Sequence, residues 1–406
     1  WRISQEPFMA SSKWIDNLVV RASYGLQGNI DKNTSPFLLG NYRIENILPG
    51  GSEDMIDVSG APNKKLRWEK THSVNAGFDF AVLNQAINLS VDYYYRKGVD
   101  LIGTQMLPLE TGFEMLTVNW ASMRNQGVEV ALSTRNVHTK NFMWTTNFNF
   151  AYNNNKVLKE ALREDALEPG REGYPAGALF ALKTAGLDEE GYPMFQDKDG
   201  KAVSAMEFFK LQEWGFGATD LTARERRELY TYVGTADCPY TGGFNNTFTY
   251  KAFELGVNFS FDFGGKVRSQ PTYSIVDFDK GRNTNRDILN RWTPENTETI
   301  FPVLLSQNER LDEYMWYSNQ NEIYRNLDIW IRDLNYVRLQ NIRLGYTLPT
   351  NFTRTLGMTS ATVAIEGRNL LVFGSSYKNY LDPETMSNAY ATPAPKSVTL
   401  SLNLIF

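Results

Sequence analysis

The 406-residue chain has one cysteine, Cys238, which excludes an internal disulfide and leaves cysteine usage silent on redox compartment. Its two histidines, His72 and His138, fall in different predicted hairpins, and with one cysteine they are too few for a structural zinc site. G-x-S-x-G, G-x-x-x-x-G-K-[ST] and G-x-G-x-x-G are all absent, which removes the common nucleophile-elbow and phosphate-cradling chemistries. No apolar run approaches the roughly 18 residues that a transmembrane helix needs. Neither sign of charge dominates: 41 Lys and Arg face 46 Asp and Glu, a formal net of −5. That balance supplies no basic footprint for nucleic acid and no acidic tract that would read as disorder. The opening "WRISQEPFMA" lacks an initiator Met, a basic n-region and an apolar h-region, and reads as the start of a piece of something longer.

What the chain does have is rings: 9 Trp, 21 Tyr and 24 Phe, 13% of all residues. Many fall on alternate positions. In "NFMWTTNFNFAY", Phe142, Trp144, Phe148, Phe150 and Tyr152 share one face, opposite Thr145, Asn147 and Asn149. "FELGVNFSFDF" and the terminal "PKSVTLSLNLIF" repeat the pattern, the latter with Val398, Leu400, Leu402, Leu404 and Phe406 on one side. A period of two predicts extended strands with one apolar and one polar face. Ten segments qualify: 18–27, 72–82, 86–97, 124–134, 141–153, 243–251, 253–263, 335–348, 361–371 and 397–406. Most exceed the usual five or six residues and suit the ~9–11 tilted residues that cross a bilayer. A mean hydropathy of −0.40 fits, because only alternate residues would meet lipid.

The connections sharpen the reading. Short links follow 82, 134, 251 and 348, while 28–71, 98–123, 154–242, 264–334 and 372–396 are long. Antiparallel strands place every second connection at one end of a sheet. One end is therefore trimmed to turns and the other built into loops, as in outer-membrane barrels with short periplasmic turns and long extracellular loops. A soluble β-sandwich or propeller would also alternate, but has no need of this regular asymmetry. The predicted fold is an all-β, antiparallel transmembrane barrel wall. Val398, Leu400, Leu402, Leu404 and Phe406 are expected to face lipid.

Within 154–242, Thr222 and Glu225 have capping-box spacing and predict a short helix. "DKDG" at 197–200 suggests either calcium or a turn between short strands; the third carboxylate and the bidentate Glu of a calcium loop are missing. Six loop aromatics, Trp214, Phe216, Trp292, Trp316, Tyr317 and Trp330, are candidate ligand- or partner-facing rings. The competing reading is a loop mini-core. No catalytic residue and no resident metal or cofactor is assigned.

Several blocks in order now invite comparison: "WIDNLVVRASYGLQGN", "LRWEKTHSVNAGFDFAVL", "NQGVEVALST", "GYPAGALFALKTAGLD", "YTGGFNNTFTYKAFELGVNFSFDFG", "LNRWTPENTETIFP", "YVRLQNIRLGYTLP", "GRNLLVF" and "LDPE". Together they resemble the C-terminal part of SusC-type (SusC/RagA) TonB-dependent outer-membrane transporters. The resemblance implies a 22-stranded barrel around an N-terminal plug, of which ten strands lie here and the plug does not. It implies import of glycans or peptides, a SusD-type lipoprotein lid, coupling to TonB through the missing part, and a terminal Phe read during barrel assembly. Residues 1–406 are then the C-terminal barrel portion, with 154–242 and 264–334 as large extracellular insertions in the outer membrane of a Gram-negative bacterium. Two rival readings are an adhesion or surface-binding barrel without import, and an outer-membrane hydrolase needing a Ser–His pair. Because ten strands alone could not enclose a plug, the sheet is expected to be open, completed by other strands of the barrel.

Overall fold

Alternating apolar and polar side chains commit each of these segments to extended backbone, whose N–H and C=O groups must then find neighbouring strands. The computed structural model describes all residues except 33, 49–50, 59, 114, 212–218, 270–280, 282–285, 305–325, 375–381 and 387–390. Seventeen strands are described. They are β1 (Ile15–Asn29), β2 (Gly40–Leu48), β3 (Gly51–Val58), β4 (Glu69–Val82), β5 (Ile87–Met106), β6 (Met115–His138) and β7 (Phe142–Lys159). Next come β8 (Ala178–Leu182), β9 (Thr184–Leu187), β10 (Pro193–Gln196), β11 (Ala202–Val203), β12 (Tyr230–Thr235) and β13 (Tyr240–Tyr250). The last four are β14 (Phe253–Arg268), β15 (Ile331–Thr347), β16 (Ser360–Phe373) and β17 (Ser397–Ile405).

Ten of these form one sheet in the order β1-β4-β5-β6-β7-β13-β14-β15-β16-β17, and they are the ten predicted segments. Sequence neighbours are sheet neighbours throughout, interrupted only where insertions intervene. The order ends at β17 without returning to β1, so among the described residues the sheet is open, as expected. Every residue of β17 is exposed, whereas the free edge of β1 is met by Trp1, whose C=O accepts from the Val20 N–H at 2.9 Å.

The strands run past their predicted ends on the loop side. β5 and β6 extend to Met106 and from Met115, which shrinks the expected loop 98–123 to 107–114. Those extensions lack strict alternation of apolar and polar side chains, which is why periodicity did not reveal them. The hairpin β2–β3 was not predicted; it pairs Tyr42 with Ile56 and Gly40 with Val58. Its signals were present in Pro49–Gly50–Gly51 and in alternation across 42–45.

Two compact units can be distinguished: residues 1–133, 151–166 and 170–176, and residues 134–150, 167–169 and 177–406. In the first, antiparallel register sets Val20, Tyr24 and Leu26 on the face of Val74 and Phe78, and all five are exposed. The opposite face is ionic: Arg21 reaches Asp79 at 3.1 Å and Asp92 at 3.0 Å. His72 is paired with Tyr24, whose hydroxyl lies 2.9 Å from Nδ1.

In the second unit, register aligns Tyr250, Phe253, Tyr346 and Val363 across β13–β16, and Val363 with Leu402 of β17. Leu400 is likewise opposite Ile365, and Leu404 opposite Ala361. Rings stack along this face: Trp144 on Phe248 at 5.6 Å, Phe244 on Phe259 at 4.8 Å and Phe253 against Tyr346 at 4.6 Å. β13 opens and closes on tyrosine, Tyr240 and Tyr250, with 11 residues between and including them. Tilted by about 45°, that length covers the ~25 Å apolar band of a membrane barrel, with a phenol at each boundary. The other face has Glu254 paired with Arg343 at 3.0 Å.

Candidate functional site

Outside the ten-stranded sheet, the residues of the second unit build a folded module from the two long insertions. β8 pairs with β12, and β9, β10 and β11 make a separate three-stranded sheet. Between them sits a core of Leu182, Phe195, Val203, Phe208, Phe209, Leu327 and Trp330. Phe195 stacks on Phe208 at 4.8 Å and meets Phe209 edge-on at 5.2 Å. The second insertion is tied to the first by backbone and side chain: Leu182 N–H donates to Asn326 O at 2.8 Å, and the Thr184 hydroxyl to Asp328 Oδ1 at 2.6 Å.

This module corrects part of the aromatic assignment. Trp330 is 0% exposed and is the largest side chain in the core, so it presents no ring to a ligand. Trp292 lies over the turn at Gly191, where an added Cβ would meet its ring at 2.5 Å. Gly191 has φ 87°, so the position favours glycine twice over, by backbone conformation and by the ring above it. Both rings fold the insertion onto itself. Trp214, Phe216, Trp316 and Tyr317 lie outside the described residues.

Two smaller expectations meet geometry here. Residues 223–228 are helical and Thr222 forms the capping box, its N–H donating to Glu225 Oε2 at 2.9 Å and its hydroxyl accepting from Glu225 N–H at 3.3 Å. Hydrogen bonds from the Thr222 backbone and side chain hold the Glu225 carboxyl below its ordinary range. "DKDG" is the turn joining β10 to β11. Asp197 Oδ1 accepts from Asp199 N–H at 3.0 Å and from Lys201 N–H at 2.7 Å, which commits that oxygen to the turn. Among the described residues no three acidic, His or Cys side chains gather as a metal site.

A cleft of about 890 Å³ opens beside this turn, floored by Val203, Phe208, Leu221 and Leu229 and rimmed by charged side chains. It was not legible in the sequence. Its walls come from β10, β11 and the short helices at 205–208 and 223–228, which only the module's core brings together.

A second constellation joins two of the sequence blocks. Arg338 of "YVRLQNIRLG" is 2% exposed; its guanidinium bonds Asp382 of "LDPE" and, through Nε, Glu384 Oε1 at 2.9 Å. The Tyr336 hydroxyl donates to Asp262 at 2.5 Å and to Glu384 at 3.1 Å. Burial works against charge at Asp382, but the Arg338 bond and the N–H groups of Glu384 and Ala394 outweigh it and hold the carboxyl below its ordinary range. The third block contributes Asn369 (φ 53°), at a bulge of β16, whose amide donates to Pro395 O at 3.2 Å. Three blocks distant in sequence thus clamp the connection after β16 to the wall.

Comparison with known proteins follows this geometry closely. Residues 9–179 match the family model described as TonB dependent receptor-like, beta-barrel. TonB-dependent receptor P3 of Formosa agariphila is 27% identical over 100% of this chain and 41% of its own length. TonB-dependent receptor SusC of Bacteroides thetaiotaomicron is 25% identical over 100% of this chain and 39% of its own length. The RagAB peptide transporter structure superposes with a TM-score of 0.75 at 23% identity, over 100% of this chain and 42% of that one. Residues 9–179 are thus similar to the β-barrel of TonB-dependent receptors, and the full chain aligns with receptors of that name. Its homologues over the full chain are of the SusC/RagA type. The chain spans about two fifths of the length of these relatives.

Proposed function

We propose that the complete protein imports large nutrients, oligosaccharides or peptides, across the outer membrane in a TonB-dependent cycle. The observation that supports this most is the division of labour within one sheet. Within each unit one face of the sheet carries apolar and aromatic side chains and the other carries ion pairs, and described residues of the long connections build a folded module and a clamped segment. A polar inner face gives solute a wet path, while the apolar outer face meets lipid along Val398, Leu400, Leu402, Leu404 and Phe406. The insertions 154–242 and 264–334 lie on the cell exterior, where a SusD-type lipoprotein closes over them.

Uptake tests the reading directly. Cells lacking the gene should lose accumulation of a labelled oligosaccharide or peptide, regain it with the intact gene, and lose it again when a protonophore collapses the inner-membrane gradient. Surface binding that survives the protonophore together with unchanged nutrient accumulation in the deletion strain would make it an adhesin instead.

A further inference from the structure

The cleft in the insertion has a lining that selects among ligand chemistries. Lys183, Lys198 and Lys210 supply positive charge at the rim. Asp197, Asp199, Glu207, Glu225 and Glu228 supply a larger negative one. Two of the lysines are already opposed, Lys198 by Glu228 at 3.5 Å and Lys210 by Glu225 at 3.8 Å. Asp197 is engaged by its turn. That leaves Asp199 and Glu207, both exposed and with no cationic partner among the described residues, facing the cleft with Lys183. Among the described residues the only ring in the lining is Phe208, and it is buried in the module core against Phe195. Among the described lining residues no flat aromatic face is offered for a sugar to stack on, whereas four apolar side chains form the floor.

We infer that this cleft is a binding subsite for a short basic peptide, whose Lys or Arg side chains meet Asp199 and Glu207 while its apolar side chains cover Leu221 and Leu229. The volume agrees: about 890 Å³ lies within the 300–1,000 Å³ range of small-ligand sites. The inference deepens the import reading by naming a substrate class, and relies on that reading only for the cleft lying outside the cell.

Equilibrium binding to the detergent-purified full-length receptor tests it without energised membranes. Fluorescence anisotropy would compare three labelled probes: a short peptide of Leu and Lys, the same peptide with Glu replacing Lys, and a neutral maltooligosaccharide. The basic peptide should bind about tenfold more tightly than its acidic counterpart at low salt, with the gap narrowing as ionic strength rises. The double variant Asp199→Asn, Glu207→Gln should weaken it about three- to tenfold, and Lys183→Glu should tighten it by a few-fold. All three side chains are exposed, so heat-modifiable gel mobility should remain unchanged. Equal or tighter binding of the acidic peptide or the maltooligosaccharide overturns the assignment, as does an unchanged affinity in the carboxylate variant. A basic peptide that binds selectively yet never enters cells would remove import and leave the cleft assigned. Peptide uptake without selective binding would do the reverse.

Discussion

Leu402 and Ser401 are adjacent, yet the proposed membrane setting gives them opposite consequences. Register places Leu402 beside Val363 on the apolar face and Ser401 beside Ala364 on the other. Leu402→Arg should cost about 2–4 kcal/mol if the site is near mid-bilayer, and should lower folded yield in membranes; Ser401→Arg should be far milder. Equal yield and equal heat-modifiability of the two variants would remove the facing assignment. Arg338 poses the converse problem, a cation in the interior that is tolerable only while its carboxylates stay. Arg338→Met leaves Asp382, whose side chain is 6% exposed, buried without its cationic partner. A loss of about 3–5 kcal/mol is expected, read as earlier thermal unfolding, with much of it recovered in Arg338→Met, Asp382→Leu. The pH sign follows from the depressed carboxyl. Stability from Asp382 is fully present above its ordinary pKa of 3.8 and is lost as pH falls through the lower folded value. Protease sensitivity of 382–396 should therefore rise only below about pH 3.8, and a rise near neutrality would contradict the sign.

At the scale of elements, the insertions behave as a small domain with its own core. Trp330 anchors it from the residues preceding β15, with Ser269 N–H and hydroxyl both donating to the Trp330 carbonyl at 2.9 Å. Trp330→Ala should cost the module about 3–5 kcal/mol, because the ring leaves a cavity among residues that cannot all collapse inward. Limited proteolysis should then cut within 178–235 while the ten-stranded sheet keeps its heat-modifiable mobility. A uniform loss of both would mean that module and sheet unfold as one. The turns at the opposite end contrast with this. Only Leu83, Asn84 and Gln85, each with positive φ, separate β4 from Ala86, and Lys251–Ala252 separates β13 from β14. Such links suit strands that need nothing more than reversal.

For the whole molecule, the asymmetry of connections makes a topological prediction. In a Cys238→Ser background, a cysteine replacing Asp199 should react with an impermeant maleimide on intact cells. A cysteine replacing Lys140, in the turn between β6 and β7, should react only after the outer membrane is breached. The reverse pattern would invert the barrel. The open strand order also matters at this scale, since β17 exposes its residues throughout, Leu400 by 76%, and Phe406 just beyond it is 81% exposed. Unpaired strand edges are not tolerated in hydrocarbon, so in the proposed membrane setting β17 requires a strand from the rest of the barrel.

By itself the sequence determined the ten strands, their antiparallel succession and their apolar faces. These follow from side-chain alternation, a local property that survives without knowledge of partners. It also determined the capped helix after Thr222 and the turn at Asp197, again through contacts a few residues apart. Tertiary structure alone decided that Trp330 is core, that the "LDPE" carboxylates neutralise Arg338, and that helices and hairpins of the first insertion enclose a cleft. Each of those depends on residues tens of positions apart meeting in space. An exposed ring and a buried one look the same in a sequence until their neighbours are known.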